Sequence, residues 1–107
     1  MIGRAVQQVL TIKVLPESGL EASAAFMSEH LEAARELLAA DQTTSLVIAL
    51  PKAAFDHDDW RDTLARDLAR RYAPKRVNVV GGEAPDALIT YLEGASGVTG
   101  QYLATHE

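Results

Sequence analysis

Lys75-Arg76-Val77-Asn78-Val79-Val80-Gly81-Gly82 decides the architecture of this chain. It is a strand-length segment, with Val77 and Val79 on one side and Arg76 and Asn78 on the other. An amphipathic helix pattern precedes it with almost no connection, and it runs straight into a glycine pair. Helix, strand and tight turn in immediate succession mark alternating strand–helix units. Such units imply a parallel sheet with right-handed crossovers.

Toward the N-terminus the same unit recurs. Val6 to Leu15 alternates as a strand, with Val6, Gln8, Leu10, Ile12 and Val14 on one side, and Pro16 stops it. Ser18 and Glu21 have the spacing of a capping box. From there to Ala40 a stripe of Leu20, Ala24, Met27, Leu31, Ala34 and Leu38 predicts one helix. Asp41 to Thr44 is a turn. Leu46 to Leu50 is a continuous apolar run, as expected of a central strand buried on both faces. Asp56 is the expected N-cap of a second helix over 57–73, with Trp60, Leu64, Leu68 and Tyr72 as its buried stripe. Arg70, Arg71 and Lys75 gather at its C-terminal end, where positive charge is favoured, and Pro74 closes it.

Toward the C-terminus, Pro85 opens a third helix through Leu88, Ile89, Tyr91 and Leu92. Gly94 to Gly97 turns the chain, and Val98 to Thr105 predicts a last strand. The expectation is an α/β domain spanning 1–107, ordered βαβαβαβ. Its four-stranded parallel sheet runs in chain order, in two layers, with three helices mainly on one face. The other face is expected to be bare, polar at its flanks but apolar where Leu46 to Leu50 crosses it. A bare stripe of this kind favours association.

Composition narrows the function classes. The chain has 107 residues, 48% of them apolar and 23% charged, which is ordinary for a soluble globular domain. A net charge of −5 argues against nucleic acid as a partner. With no cysteine, the chain has no disulfide and no thiol chemistry, which fits a reducing compartment. No apolar run approaches the roughly 20 residues of a membrane helix. The N-terminus leads directly into a strand pattern, so no signal peptide is expected. A cytoplasmic protein with no membrane partner is the expectation.

Arg76-Val77-Asn78-Val79-Val80, then Pro85 to Leu92, then Ala95-Ser96-Gly97-Val98-Thr99-Gly100-Gln101, resembles the end of a short-chain dehydrogenase/reductase. That family carries a strand of the type Arg-Val-Asn-x-Val before its last helix, and a Ser-x-x-x-Thr-Gly-Gln motif before its final strand. Leu64 to Ala69 resembles the helix ahead of that strand. The resemblance implies a half-Rossmann fold, corresponding to the last four strands of the family.

The family's chemistry does not carry over. Its Tyr-x-x-x-Lys pair, in which the lysine lowers the tyrosine pKa so that the phenolate acts as base, has no counterpart here. Tyr72, Tyr91 and Tyr102 are followed four places later by Arg76, Ala95 and His106. The catalytic serine expected after the second strand is replaced by Leu50-Pro51-Lys52. The resemblance implies that the half of the family fold carrying the glycine-rich cofactor turn, a first strand leading into Gly-x-x-x-Gly-x-Gly, has no counterpart here, and the substrate loop is reduced to Gly82-Glu83-Ala84.

The remaining chemistry-bearing residues have plain structural readings. Ser18-Gly19 reads as a cap, and Gly94, Gly97 and Gly100 as turn formers. His30, His57, Asp58 and Asp59 offer ligand or acid–base atoms, but no second cluster stands at metal spacing, and solvated helix surface accounts for them. Arg66, Arg70, Arg71, Lys75 and Arg76 form a basic patch that helix-dipole pairing explains.

The sequence therefore leads to a non-catalytic module without cofactor or metal, acting through oligomerisation or a protein partner, a full-length dehydrogenase-like protein among the candidates. The family resemblance implies pairing through helices 20–40 and 57–73 and through the last helix and strand. Trp60, Leu64, Tyr91 and Tyr102 are the candidate interface residues. The alternative is a signalling module resembling sulfate-transporter and anti-sigma-factor-antagonist domains. Those present a hydroxyl after the second strand, absent from Pro51 to Asp59 here, and mix strand directions. A small enzyme using His57, Asp58 or Asp59 is a third reading.

Overall fold

The computed structural model describes residues 6–105. Four strands, β1 (Val6–Thr11), β2 (Thr43–Leu50), β3 (Arg76–Gly81) and β4 (Tyr102–Ala104), form one sheet in the order β1-β2-β3-β4. All three pairings are parallel. This is the expected chain-order half-Rossmann sheet, and its uniform strand direction sets aside the antagonist-domain alternative.

β2 is central because it can be buried on both sides: every residue but Thr44 is buried. Leu46, Ile48 and Leu50 pack on one face with Val77 and Val79. Val47 and Ala49 pack on the other with Val80. At about 1.5–3 kcal/mol per buried aliphatic side chain, this strand anchors both halves of the core.

The expected helix over 20–40 is two helices, α1 (Gly19–Glu29) and α2 (Leu31–Ala39), broken at His30. Ser18 Oγ accepts the Glu21 amide at 3.1 Å, as the capping box predicts. The buried residues are Ala22, Phe26, Ala34 and Leu38, whereas Leu20 is 84% and Met27 43% exposed. In α1 the face turned to the core is the one carrying Ala22 and Phe26, four residues apart, so Leu20 and Met27 fall outside it, and the expected stripe is buried only in α2, at Ala34 and Leu38.

α3 (Asp58–Tyr72) follows a 3₁₀ turn (Phe55–His57) and buries Leu64, Ala65 and Leu68 on the same face as α1 and α2. Asp56, the expected cap of α3, instead accepts the Gly19 amide at 3.1 Å and so serves the N-terminus of α1. His57 is buried rather than solvated.

α4 (Asp86–Gly94) lies on the opposite face, where Leu88, Ile89 and Leu92 cover Val47, Ala49 and Val80. Gln7 Nε2 donates to Ile89 O at 3.2 Å from that same face. The helices are thus mainly, but not all, on one side, and the bare face is corrected to one covered across β2 and β3. Only its β1 margin stays open, with Val9 41% exposed. Since β3 and β4 are parallel neighbours like the earlier pairs, this last crossover has the opposite hand to the first two. Burial of the apolar side of β2 and the anchoring of α4 by Arg76 hold it there: Arg76 Nη1 donates to Leu92 O and Ala95 O, both at 2.9 Å. The last strand is shorter than expected because 98–101 are held to β3 largely by side chains.

Candidate functional site

Among the concave regions of the described residues, two bring together side chains with a possible role. The larger is a groove of about 720 Å³ between α1–α2 and α3. Met27, Leu31, Trp60, Leu64, Leu68 and Tyr72 give it an apolar lining, and Arg35, Asp59, Asp67 and Arg71 add charge. Trp60 and Leu64 therefore belong to it, Leu64 buried and Trp60 half-buried. Tyr91 is 57% exposed on α4, on the other side of the sheet. Tyr102 packs against the main core from β4. The four candidate interface residues thus fall in three places, and only Trp60 and Leu64 share a surface.

The second region is a cleft of about 420 Å³ at the carboxyl ends of β1 and β2. Its walls come from the segments following the two strands, Lys13 to Glu17 and Pro51 to Ala54, together with His57 and Arg61. The 3₁₀ turn is fixed beneath it by His57. The indole N–H of Trp60 can only donate, so His57 Nδ1 accepts it at 3.2 Å. The ring proton then sits on Nε2 and is donated to Glu17 O at 2.7 Å. This ring fastens the loop after β1 to the start of α3.

Arg61 is wholly buried, an outcome that the apolar stripe of α3 did not indicate. Its position was visible in one respect: 61, 64, 65 and 68 share the spacing of a single helix face, so an arginine occupies a core position. Arg61 Nη1 donates to Tyr102 Oη at 3.2 Å. The guanidinium carbon lies 5.5 Å from the centre of the Trp60 ring and 5.6 Å from that of Tyr102, within cation–π reach of both. Gly81 makes the room: a Cβ there would stand 2.8 Å from Arg61 Nη1 and 2.7 Å from Tyr102 Oη.

The basic patch divides by role. Lys75 Nζ donates to Leu38 O and Ala40 O at 2.6 and 2.9 Å, capping α2, and Arg76 caps α4. Arg66, Arg70 and Arg71 are exposed. No three His, Asp or Glu residues gather at metal-binding distance among the described residues. Among them, too, no helix is long and apolar enough to cross a membrane. None of the residues lining the cleft at the strand ends carries a hydroxyl.

Comparison with known proteins gives one family. A family model described as SDR-like, short chain dehydrogenase-like protein, matches residues 10–105. No curated protein and no solved structure matches the chain.

Proposed function

The chain belongs to the SDR-like family of short chain dehydrogenase-like proteins, and on that premise we propose that it is a non-catalytic member that works by self-association through the groove between α1–α2 and α3. The observation that carries this reading is the groove itself, an apolar surface on the two helical segments through which the resemblance implies pairing. The occupant it suits is a second copy of the chain. α3 is acidic at its start, with Asp58 and Asp59, and basic in its last turn, with Arg70 and Arg71. Two copies of α3 packed antiparallel about a two-fold axis place each acidic end beside the partner's basic end and oppose their helix dipoles.

The non-catalytic part rests on the chain's own residues. No tyrosine has a lysine four places on, and Pro51-Lys52 stands where the family's serine would be. A cysteine-free chain suits a reducing compartment, and the cytoplasm is where we place it.

Light scattering over a range of concentrations tests the reading. A dimer is expected, and Met27→Glu, at a 43% exposed groove position, is expected to give monomers with an unchanged circular dichroism spectrum. A wild-type monomer at every concentration would overturn self-association. Oxidation of alcohols with nicotinamide cofactor above blank would overturn the non-catalytic assignment.

A further inference from the structure

We propose that Arg61 anchors a binding site for a small oxyanion ligand, one bearing a carboxylate or phosphate group, in the cleft at the carboxyl ends of β1 and β2. Arg61 has no exposed surface, and its Nε and Nη2 have no hydrogen-bond partner among the described residues. A buried cation is tolerated when it is paired and its donors are met. Tyr102 Oη and two aromatic faces supply part of that, but none of them is an anion.

The identity of the free donors specifies what is missing. Nε–H and the adjacent Nη2–H form one edge of the guanidinium, two parallel donors that match two oxygens of a carboxylate or phosphate. The third nitrogen, Nη1, is already turned to Tyr102 Oη, which fixes the rotation of the plane. The fork is therefore set before any ligand arrives.

The cleft has the rest of such a site. Lys13 and Lys52 line it beside Arg61, against Glu17 as the single acid, so a chain of net charge −5 presents an excess of positive charge here. Val14, Leu15, Pro51, Ala53 and Ala54 provide apolar wall for an organic body. The location, outside the carboxyl ends of parallel strands, is where open α/β sheets commonly hold ligands. This site is on a different surface from the groove between α1–α2 and α3, and stands or falls independently of self-association.

The test titrates the protein with inorganic phosphate and, separately, with succinate, against sodium chloride at matched ionic strength. Trp60 is the only tryptophan and its ring lies against the Arg61 guanidinium, so its fluorescence reports occupancy directly. A saturable change with phosphate or succinate, absent with chloride, is expected, and the stronger of the two identifies the headgroup. Arg61→Lys keeps the charge but loses the fork and is expected to weaken binding by about tenfold or more. Lys13→Gln with Lys52→Gln, at two exposed positions, is expected to weaken it severalfold while leaving the fold intact, and it decides the matter if Arg61→Lys does not fold. No saturable change with either anion, or binding unaltered by these variants, overturns the proposal.

Discussion

Asn78 Oδ1 accepts the Gln101 amide at 3.1 Å while Asn78 Nδ2 donates to Val98 O at 2.9 Å, so one amide in β3 holds the closing segment at both ends. Between those points Val77 N donates to Thr99 Oγ1 at 3.0 Å, and Gly100 N to Val77 O at 2.7 Å. The Arg-Val-Asn and Thr-Gly-Gln motifs are thus two halves of one clasp, and their role here is structural. Asn78→Ala leaves two backbone groups without their partner at a buried site. It is expected to cost about 2–4 kcal/mol, read as a lower urea midpoint. A loss below about 1 kcal/mol would mean that water replaces the amide at little cost.

Lys75, in the connection between α3 and β3, closes α2. Its ammonium meets Leu38 O, in the last turn of the helix, and Ala40 O, which also accepts the Thr43 amide at 3.1 Å, where positive charge is favoured by the dipole as well. Lys75→Met keeps most of the stem and removes the donors, so a loss of about 1–2 kcal/mol is expected. Hydrogen exchange should quicken first in residues 37–43 rather than uniformly. Uniform quickening would show that the capping contact is not what holds that turn.

Regular patterns made the strand order legible. β2 reads as central because it is a continuous apolar run, and the Arg-Val-Asn motif places β3 and β4 beside each other. What could not be read is how side chains reach across elements. Asp56 looks like a cap for the helix it precedes, yet chain geometry brings it to Gly19, where an added Cβ would stand 2.5 Å from Asp56 O. Arg61 occupies a core position in a helix whose hydrophobic stripe is read without it, because burial of a cation depends on Tyr102, forty-one residues away. The rule for right-handed crossovers puts α4 beside the other helices, whereas covering Val47, Ala49 and Val80 outweighs that preference here. The groove is legible only in part: the sequence singles out Trp60 and Leu64, which line it, but places Met27 in a buried stripe.

Gly82 controls whether β4 stays attached. Its φ is +131°, a conformation close to glycine-only, and a Cβ there would fall on Thr105 Oγ1. Thr105 N donates to Gly81 O at 2.9 Å, so the far end of the last strand is fastened here. Gly82→Ala is expected to cost about 2–3 kcal/mol. The amide of Thr105 should lose exchange protection while those of 46–50 in β2 keep theirs. Equal loss in both would place the damage in the whole core rather than at the β4 edge.

Antiparallel pairing of α3 can be separated from any other mode of association by charge exchange. Asp59 and Arg71 line opposite ends of the same groove, twelve positions apart on one helix. In a two-fold antiparallel pair, residue 59 of one copy faces residue 71 of the other, twice per dimer. Asp59→Arg or Arg71→Asp alone then brings like charges together at both ends and is expected to weaken the dimer by about 1–2 kcal/mol at low salt. The two changes in one chain restore the opposite pairing, so the double variant should dimerise nearly as well as the wild type. All these differences should shrink as salt rises, because exposed charges are screened over roughly 10 Å at 0.1 M. A double variant weaker than either single one would exclude this arrangement, since no antiparallel pairing of α3 makes the two reversals worse together than apart.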